Sequence, residues 1–243
     1  MKKSKKTGKK AGVDVLNLAG RAESFSHPLF DSNFYNQQLP QFAQQTEQAM
    51  HHFLTVGEKL GLQPHPVFDR KYVLEQAKEN GVKVDEDFSP FTYVLKNNLS
   101  PNRLFSKELY ASALKKAGID FPENELYIAH FLTSWVDCRV PFSPYFDVTF
   151  YELNNPHLVK SGTNPLDHYF RVPRRERADA NPMFHAGYYT NTYASWEYDP
   201  LVDFIAQGSG QLNLPNPYAA QELLSGAFVT PENLLNYIEI RND

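Results

Sequence analysis

The hydrophobic and aromatic residues of this chain follow a pattern that recurs about every 38 residues. Each copy places a large aromatic residue before a short polar one and ends, five residues after the aromatic, on another large apolar residue. The aromatic anchors are Phe30, Phe68, Phe105, Phe146 and Phe184, and a degraded sixth copy begins at Tyr218. A period of about 20 to 50 residues is typical of stacked-repeat proteins, so the pattern predicts an array of similar units.

The polar residue after each anchor predicts the start of a helix. Asp31, Asp69, Ser106 and Asp147 are residue types whose side chains accept hydrogen bonds from the free N–H groups of a first helical turn. His185 holds this place in the fifth copy and is a weaker cap, so we expect that helix start to be the least firm. The apolar residue four places beyond each cap then pairs with the anchor as a hydrophobic staple. The five staple residues are Tyr35, Val73, Tyr110, Tyr151 and Tyr189.

A second helix is predicted about two-thirds of the way through each unit. A capping residue followed by proline fits the N-cap and first helical position, where the missing N–H of proline has no cost. Units one and three lack the proline but keep the apolar pattern over residues 49–54 and 127–132. The cap-proline pairs begin at Ser89, Asn164, Asp199 and Thr230.

The predicted fold is an all-α stack of helical hairpins that resembles an α-solenoid. No single hairpin could bury its apolar face alone, so neighbouring units must stack on one another. About five and a half units of roughly 38 residues fill the domain 26–243. The predicted units are 26–66, 67–102, 103–144, 145–182 and 183–217, with a partial sixth that extends to residue 243.

Composition places the chain among globular proteins with an acidic body and a basic tail. The hydrophobic fraction is 42% and the aromatic fraction 14%, with a single cysteine. Residues 1–25 are expected to be disordered, and without the six tail lysines the chain holds 18 basic against 28 acidic residues. This balance argues against nucleic acid as a partner. The tail is either a solubilising segment or a contact with the anionic inner face of the membrane, through Lys2, Lys3, Lys5, Lys6, Lys9 and Lys10.

The candidate chemistry along the chain favours architecture over catalysis. His52, His130 and His168 recur at one position of the second helix, and successive units should lie about 8–10 Å apart per helix layer. The three histidines therefore cannot meet at one metal ion, and we expect a structural role for them. Asp85 and Asp87 have the spacing that glycosyltransferases use to hold a divalent cation, but the chain shows no phosphate-binding glycine turn around them. We therefore predict no catalytic residue, no metal site and no cofactor.

Two features could form a binding surface. Arg171, Arg174, Arg175 and Arg177 cluster after the second helix of unit four and could grip phosphate, sulfate or carboxylate groups. The alternative is that they pair with nearby acids such as Glu176 and Asp179. Two tryptophans lie away from the staple positions and are either stacking platforms for a sugar or core residues. These tryptophans are Trp135 and Trp196.

Three motifs occur together: Phe-Asp-x-x-Phe/Tyr-Tyr, the Asn155-Pro156 and Asn181-Pro182 pairs, and the Pro-Leu-x-His-Tyr segment over 165–169. Together they resemble a short bacterial repeat found in multidomain proteins of surface-polysaccharide assembly, beside glycosyltransferase or rhamnan-synthesis domains. The similarity is best over 145–182, whereas unit three lacks the aspartate cap and the proline, and unit two lacks the histidine. The resemblance implies an accessory module and transfers no catalytic residue.

We therefore expect a non-enzymatic scaffold or docking module in the cytoplasm, whose partner is a glycosyltransferase or another polysaccharide-assembly protein. One alternative is a glycan-binding module that uses the exposed aromatic residues and the arginine cluster. The other is an accessory fragment of a glycosyltransferase. The single cysteine, Cys138, fits a reducing compartment.

Overall fold

The computed structural model describes residues 27–40, 49–123, 125–195, 197–208 and 213–218. Within these ranges the chain is helical and has no strand, so the predicted all-α class is confirmed for the described part. The basic tail, Trp196 and the helix predicted at Thr230 lie outside the described residues. The helices are α1 (Ser32–Gln37), α2 (Ala49–His52), α3 (Arg70–Glu79), α4 (Pro90–Asn97), α5 (Lys107–Lys116), α6 (Tyr127–Thr133), α7 (Trp135–Cys138), α8 (Val148–Asn154), α9 (His157–Ser161), α10 (Pro165–Arg171), α11 (Ala186–Tyr193) and α12 (Pro200–Asp203).

The first helix of each unit begins at its predicted cap. The side chains of Asp31, Asp69, Ser106 and Asp147 each accept a hydrogen bond from the backbone N–H three residues on. His185 caps α11 in the same way, through a bond of 3.1 Å from the Tyr188 N–H to its Nδ1. An imidazole nitrogen thus takes the place that a carboxylate or hydroxyl oxygen takes in the other units.

The hydrophobic staples also form as predicted. The rings of Phe30 and Tyr35 lie 5.5 Å apart between centroids, and those of Phe146 and Tyr151 lie 4.9 Å apart. The pairs Phe105–Tyr110 and Phe184–Tyr189 are 5.6 and 5.5 Å apart. In unit two the staple residue is Val73, which is fully buried in the same core as its anchor. Each staple ties the chain entering a helix to the first turn of that helix.

The second helices follow the cap-proline signal where it is present. Ser89, Asn164 and Asp199 cap α4, α10 and α12, each with proline at the first helical position. In units one and five the second helix continues into a π-helical turn, over Phe53–Gly57 and Phe204–Gly208. Helix α6 of unit three has no cap of its own, and the Asn98 side chain from the preceding unit accepts from the Tyr127 N–H at 3.1 Å.

Two short helices, α7 and α9, go beyond the prediction of two helices per unit. Helix α7 has four residues and is followed by Arg139, which adopts the left-handed conformation with φ of 39°. Helix α9 has five residues and is followed by Gly162, with φ of 67°. Segments this short cannot display a helical period, so hydrophobic patterning cannot reveal them.

Backbone hydrogen bonds join each unit start to the connector that leads into the next unit. The Asp31 N–H donates to the carbonyl of Pro64 at 2.8 Å, and the Asp69 N–H donates to that of Pro101 at 2.9 Å. The same bond recurs in the three later units, as Ser106 to Phe142, Asp147 to Ala180 and His185 to Pro215. Successive unit starts therefore lie side by side.

Asparagine side chains reinforce these connections. Asn102 accepts from the Leu104 N–H at 2.8 Å and donates through Nδ2 to the carbonyl of Val67 at 2.7 Å. Asn181 and Asn216 make the corresponding bonds to the carbonyls of Tyr145 and Met183. Each of these asparagine side chains thus bonds to the backbone of its own connector and to the start of the preceding unit.

The units do not follow a straight line. A straight stack would separate units one and four by several helix layers of about 8–10 Å each. Instead, Nη2 of Arg171 in unit four lies 2.6 Å from Oδ2 of Asp31 in unit one. The Lys71 ammonium of unit two lies 5.4 Å from the ring centre of Tyr198 in unit five. Units one and two therefore contact units four and five, three places further on, which the repeat spacing alone did not predict.

Candidate functional site

The three recurring histidines bond to the staple tyrosines of their own units. The hydroxyl of Tyr35 lies 2.5 Å from Nδ1 of His52, across the two helices of unit one. The corresponding distances are 2.8 Å for Tyr110–His130 and 2.9 Å for Tyr151–His168. In unit five Asp203 replaces the histidine and accepts from Tyr189 at 2.9 Å. These bonds join the two helices of the hairpin in units one, three, four and five, which is a structural role.

Burial keeps the tyrosines of these pairs neutral. It raises the pKa of Tyr35 to about 12 and raises the pKa values of Tyr110 and Tyr151 further. The tyrosine hydroxyls therefore keep their protons throughout the physiological range. Burial, followed by the nearby His157, lowers the pKa of His168. The unit-four pair therefore joins a neutral phenol to a neutral imidazole near pH 7.

Arg171 of the arginine cluster is already engaged with acids of the protein. Its Nε lies 2.8 Å from Oδ2 of Asp167, one helical turn earlier, and its Nη2 contacts Asp31. His65 of unit one faces the same carboxylate, with Nε2 3.8 Å from Oδ1 of Asp167. This group joins unit four to unit one, so the partners are different acids from the Glu176 and Asp179 suggested by the sequence.

Arg177 is buried in an ion pair with Asp199, and their side chains are only 6% and 8% exposed. Its guanidinium lies 4.3 Å from the ring centre of Tyr169 and donates to the carbonyl of Val172 at 2.9 Å. Tyr169 in turn donates to Asp199 at 3.2 Å. Every polar direction of Arg177 is occupied within the fold, so this side chain has no free donors for a ligand.

The remaining candidates divide by exposure. Arg174 and Arg175 are exposed on the segment after α10. Trp135 is 2% exposed and packs against Phe131 and Phe142 in the core. It is therefore a core residue, because no face of its ring is open to a sugar. Trp196 lies outside the described residues.

The acidic segment over residues 85–87 is an ordinary surface loop. The Asp85 carboxylate accepts from the Asp87 N–H at 3.3 Å and lies 3.2 Å from the Lys83 ammonium. Asp87 lies 3.4 Å from the Lys59 ammonium. The described ranges contain no group of three or more His, Cys, Asp and Glu side chains that could hold a metal ion.

Three aliphatic side chains are exposed on neighbouring short helices of units three and four. Val136 of α7, Leu153 of α8 and Val159 of α9 are 59%, 75% and 54% exposed. Arg139 at the end of α7 donates to Glu152 of α8 at 2.6 Å, so these helices are adjacent. A Cβ on Gly162, at the end of α9, would lie 2.8 Å from Cγ2 of Val136. We call this group of residues the α7–α9 surface.

Two open clefts are present on the described surface. One of about 240 Å³ lies where units four and five meet and is lined by Phe150, Asp179, Met183 and His185, among others. The other, of about 590 Å³, lies between Leu114 of α5 and Tyr127 of α6. Asp179 and His185 in the first cleft are engaged with backbone N–H groups, so these two side chains are already used by the fold.

Comparison of the chain with protein-family models, curated proteins and solved structures found no match. Within the described residues, no helix is both long and apolar enough to cross a membrane.

The sequence interpretation missed the residues that connect the units. Asn102, Asn181 and Asn216 each stand two residues before the second position of their unit start, which is Leu104, Met183 and Tyr218, and this regular placement was the available signal. His157 was also missed. It lies outside every repeated motif, and its Nε2 is 3.3 Å from Nε2 of His168.

Proposed function

We propose that this chain is a non-enzymatic docking module, built as a stack of about five and a half helical hairpins, for a protein partner in bacterial surface-polysaccharide assembly. The repeating hairpins would wind as a short solenoid in which units one and two also touch units four and five. The association with polysaccharide assembly rests on the resemblance of the repeated motif.

The roles of the recurring polar side chains support a scaffold. Asp31, Asp69, Ser106 and Asp147 cap helices, and the connector asparagines hold neighbouring units together. The recurring histidines bond to buried tyrosines. Residues that repeat in this chain are therefore used by the fold itself.

The α7–α9 surface is the observation that carries the docking proposal. Leu153 is 75% exposed, and Val136 and Val159 are each more than half exposed on adjacent helices. Grouped aliphatic side chains on a protein surface indicate an interaction site, whereas single ones are common and need no explanation. Their aliphatic character favours a protein partner over a glycan, because sugars stack preferentially on aromatic rings.

The test is affinity capture from the native host with the wild-type chain and a Leu153→Glu variant. The wild type should recover a glycosyltransferase or its membrane partner, and the variant should lose it because a charge now occupies the contact. Leu60→Glu is the matched control, since Leu60 is 70% exposed in unit one and is not one of the α7–α9 surface residues. Both substitutions should change stability by less than about 0.5 kcal/mol.

Two outcomes would contradict the proposal. Reproducible recovery of an unrelated complex would remove the link to polysaccharide assembly. Equal loss of the partner with Leu60→Glu and Leu153→Glu would show that the α7–α9 surface is not the docking site.

The two alternative functions, a glycan-binding module and a glycosyltransferase fragment, have less support. A glycan-binding module would have to rely on Arg174 and Arg175, because Arg177 is buried and Trp135 is covered. A glycosyltransferase fragment would use Asp85 and Asp87, which contact lysines. Absence of heat on adding Mn²⁺ and a nucleotide sugar would dispose of the second alternative. Calorimetric titration with acidic glycans that releases no heat would dispose of the first.

The proposal includes a cytoplasmic location, which the single cysteine supports. The six tail lysines would then contact the anionic inner face of the membrane, with about 1 kcal/mol per lysine near the surface. Binding of the chain to vesicles that contain phosphatidylserine, lost at high salt, would test this part separately.

A further inference from the structure

Two histidines of unit four face each other at the protein surface. Nε2 of His157, at the start of α9, lies 3.3 Å from Nε2 of His168 on α10, and the ring centroids are 5.1 Å apart. His157 is exposed and His168 is partly buried. One edge of the pair is therefore open to solvent.

The separation of the two nitrogens fits a shared metal ion. Imidazole nitrogens bind Zn²⁺ at about 2.0–2.1 Å, and a tetrahedral angle at the metal places two such nitrogens roughly 3.3–3.4 Å apart. Across the same distance one ring can donate a single N–H to the other, in a direction set by the tautomers of the two rings. A divalent ion would replace that proton, and the exposed His157 ring is free to turn its lone pair toward it.

The partly buried histidine is oriented for this role by Tyr151. The hydroxyl of Tyr151 lies 2.9 Å from Nδ1 of His168. If Nδ1 donates its proton to that oxygen, Nε2 carries the lone pair that faces His157. A histidine that binds a metal usually donates its other N–H to such a partner, which fixes the tautomer and the ring orientation.

The other units show that the second histidine is not needed for packing. In unit three, the ring of Phe121 covers His130 at a centroid distance of 5.3 Å. In unit two, Phe88 covers Tyr93 at 5.4 Å. An aromatic hydrocarbon ring therefore serves the fold at this place, and only unit four of these three presents a second nitrogen.

We propose that His157 and His168 form a surface site for one divalent transition-metal ion of the imidazole-binding class, such as Zn²⁺, Ni²⁺ or Cu²⁺. The described residues supply no third His, Cys, Asp or Glu ligand to any such cluster, so water completes the coordination. By the usual order of stability for nitrogen ligands, Cu²⁺ binds more tightly than Ni²⁺, and Ni²⁺ more tightly than Co²⁺. Protons compete for the same nitrogens, so binding weakens as the pH falls below the pKa of histidine.

The test is isothermal titration calorimetry of the whole chain with Ni²⁺ and with Zn²⁺ at about pH 7.5, where imidazole is neutral. The wild type should bind one ion, and His157→Phe should weaken binding by at least about 10-fold. Tyr151→Phe should weaken it by about 10-fold while both ligands remain, because loss of such an orienting partner costs about 10- to 100-fold. Long-range ¹H–¹⁵N spectra should show the Nε2 signals of His157 and His168 moving with the added metal.

Matched variants separate this site from binding at other surface histidines. His157→Phe copies the arrangement of unit three and should keep the helical circular dichroism of the wild type, and His157→Gln provides a second ligand-free variant. His51→Gln removes a partly exposed histidine elsewhere and should leave affinity unchanged. Unchanged affinity in both His157 variants, or movement of other histidine signals only, would overturn the proposal.

Discussion

Unit two and unit four close the same helical hairpin with different chemistry. In unit four the buried hydroxyl of Tyr151 bonds to His168 on the second helix. In unit two Val73 occupies the place of the tyrosine and Tyr93 that of the histidine, and Val73 is as fully buried as Tyr151. Both members of the pair have changed together. The hairpin therefore tolerates an apolar or a polar closure, but a half-changed pair would leave a buried polar atom without a partner.

Two ion pairs of the molecule differ in how deeply they are buried. Arg177 and Asp199, which join units four and five, are 6% and 8% exposed, whereas Arg103 and Glu75, at the junction of units two and three, are 27% and 37% exposed. A buried charge that loses its partner cannot recover the interaction from water. An exposed one can, so substitutions should have much larger effects in the Arg177 pair than in the Arg103 pair.

The largest expected effect is that of Asp199→Asn. Asparagine can still cap α12, so the substitution removes mainly the negative charge that faces Arg177. We expect a loss of about 3–5 kcal/mol in the free energy of unfolding, because the guanidinium stays buried without a counter-charge. Urea denaturation measures the loss. Glu75→Gln is the matched control and should cost less than about 1 kcal/mol; equal losses in the two variants would contradict the contrast.

The next effect depends on pH and concerns His65, which joins unit one to unit four. Burial lowers its pKa from 6.5 to about 4, and the nearby Arg171 adds to this while Asp167 and Asp31 oppose it. The unfolded state therefore takes up a proton before the folded state does. Stability should be fully present above pH 6.5 and fall toward pH 4, by about 3 kcal/mol from this group.

His65→Asn should remove most of that acid sensitivity. Asparagine stands at the equivalent connector positions of later units, as Asn102 and Asn181, and would keep the hydrogen bond that His65 Nδ1 accepts from the Val67 N–H. Thermal melting temperatures of wild type and variant, measured between pH 7 and pH 4, should diverge as the pH falls. Parallel curves would show that His65 is not the titrating group.

The sequence predicted the local part of this architecture and missed the long-range part. Caps and staples join residues three to five positions apart, as Asp69 with Tyr72, so their signal is contained in one short motif. The Arg171–Asp31 contact spans 140 residues. It depends on how successive units are arranged in space, which no short motif encodes. The role of His157 was not predicted for a related reason, because α9 is too short to display a helical period.

A smaller effect is expected for Gly57→Ala, which tests how a staple tyrosine constrains the second helix. A Cβ at residue 57 would lie 2.9 Å from Cζ of Tyr35 and closer still to its hydroxyl oxygen. We expect a loss of about 2 kcal/mol from this overpacking. In a Tyr35→Val background, which copies unit two, the cost of Gly57→Ala should fall. A double-mutant cycle measures the coupling, and a value near zero would show that Tyr35 is not the obstacle.

The smallest effect separates the polar closure from its apolar counterpart. Tyr110→Phe removes only the hydroxyl that lies 2.8 Å from Nδ1 of His130, and His130 is itself 6% exposed. Because the imidazole nitrogen then loses its partner away from water, we expect a loss of about 1 kcal/mol in the free energy of unfolding. Tyr93→Phe in unit two is the matched control. Its hydroxyl makes a long hydrogen bond, 3.4 Å, with the exposed amide of Asn80. Removal of the hydroxyl should therefore cost less than about 0.5 kcal/mol. If the two substitutions cost the same in denaturant titrations, the tyrosine–histidine bond contributes nothing beyond ring packing, and the two closures are equivalent in energy as well as in position.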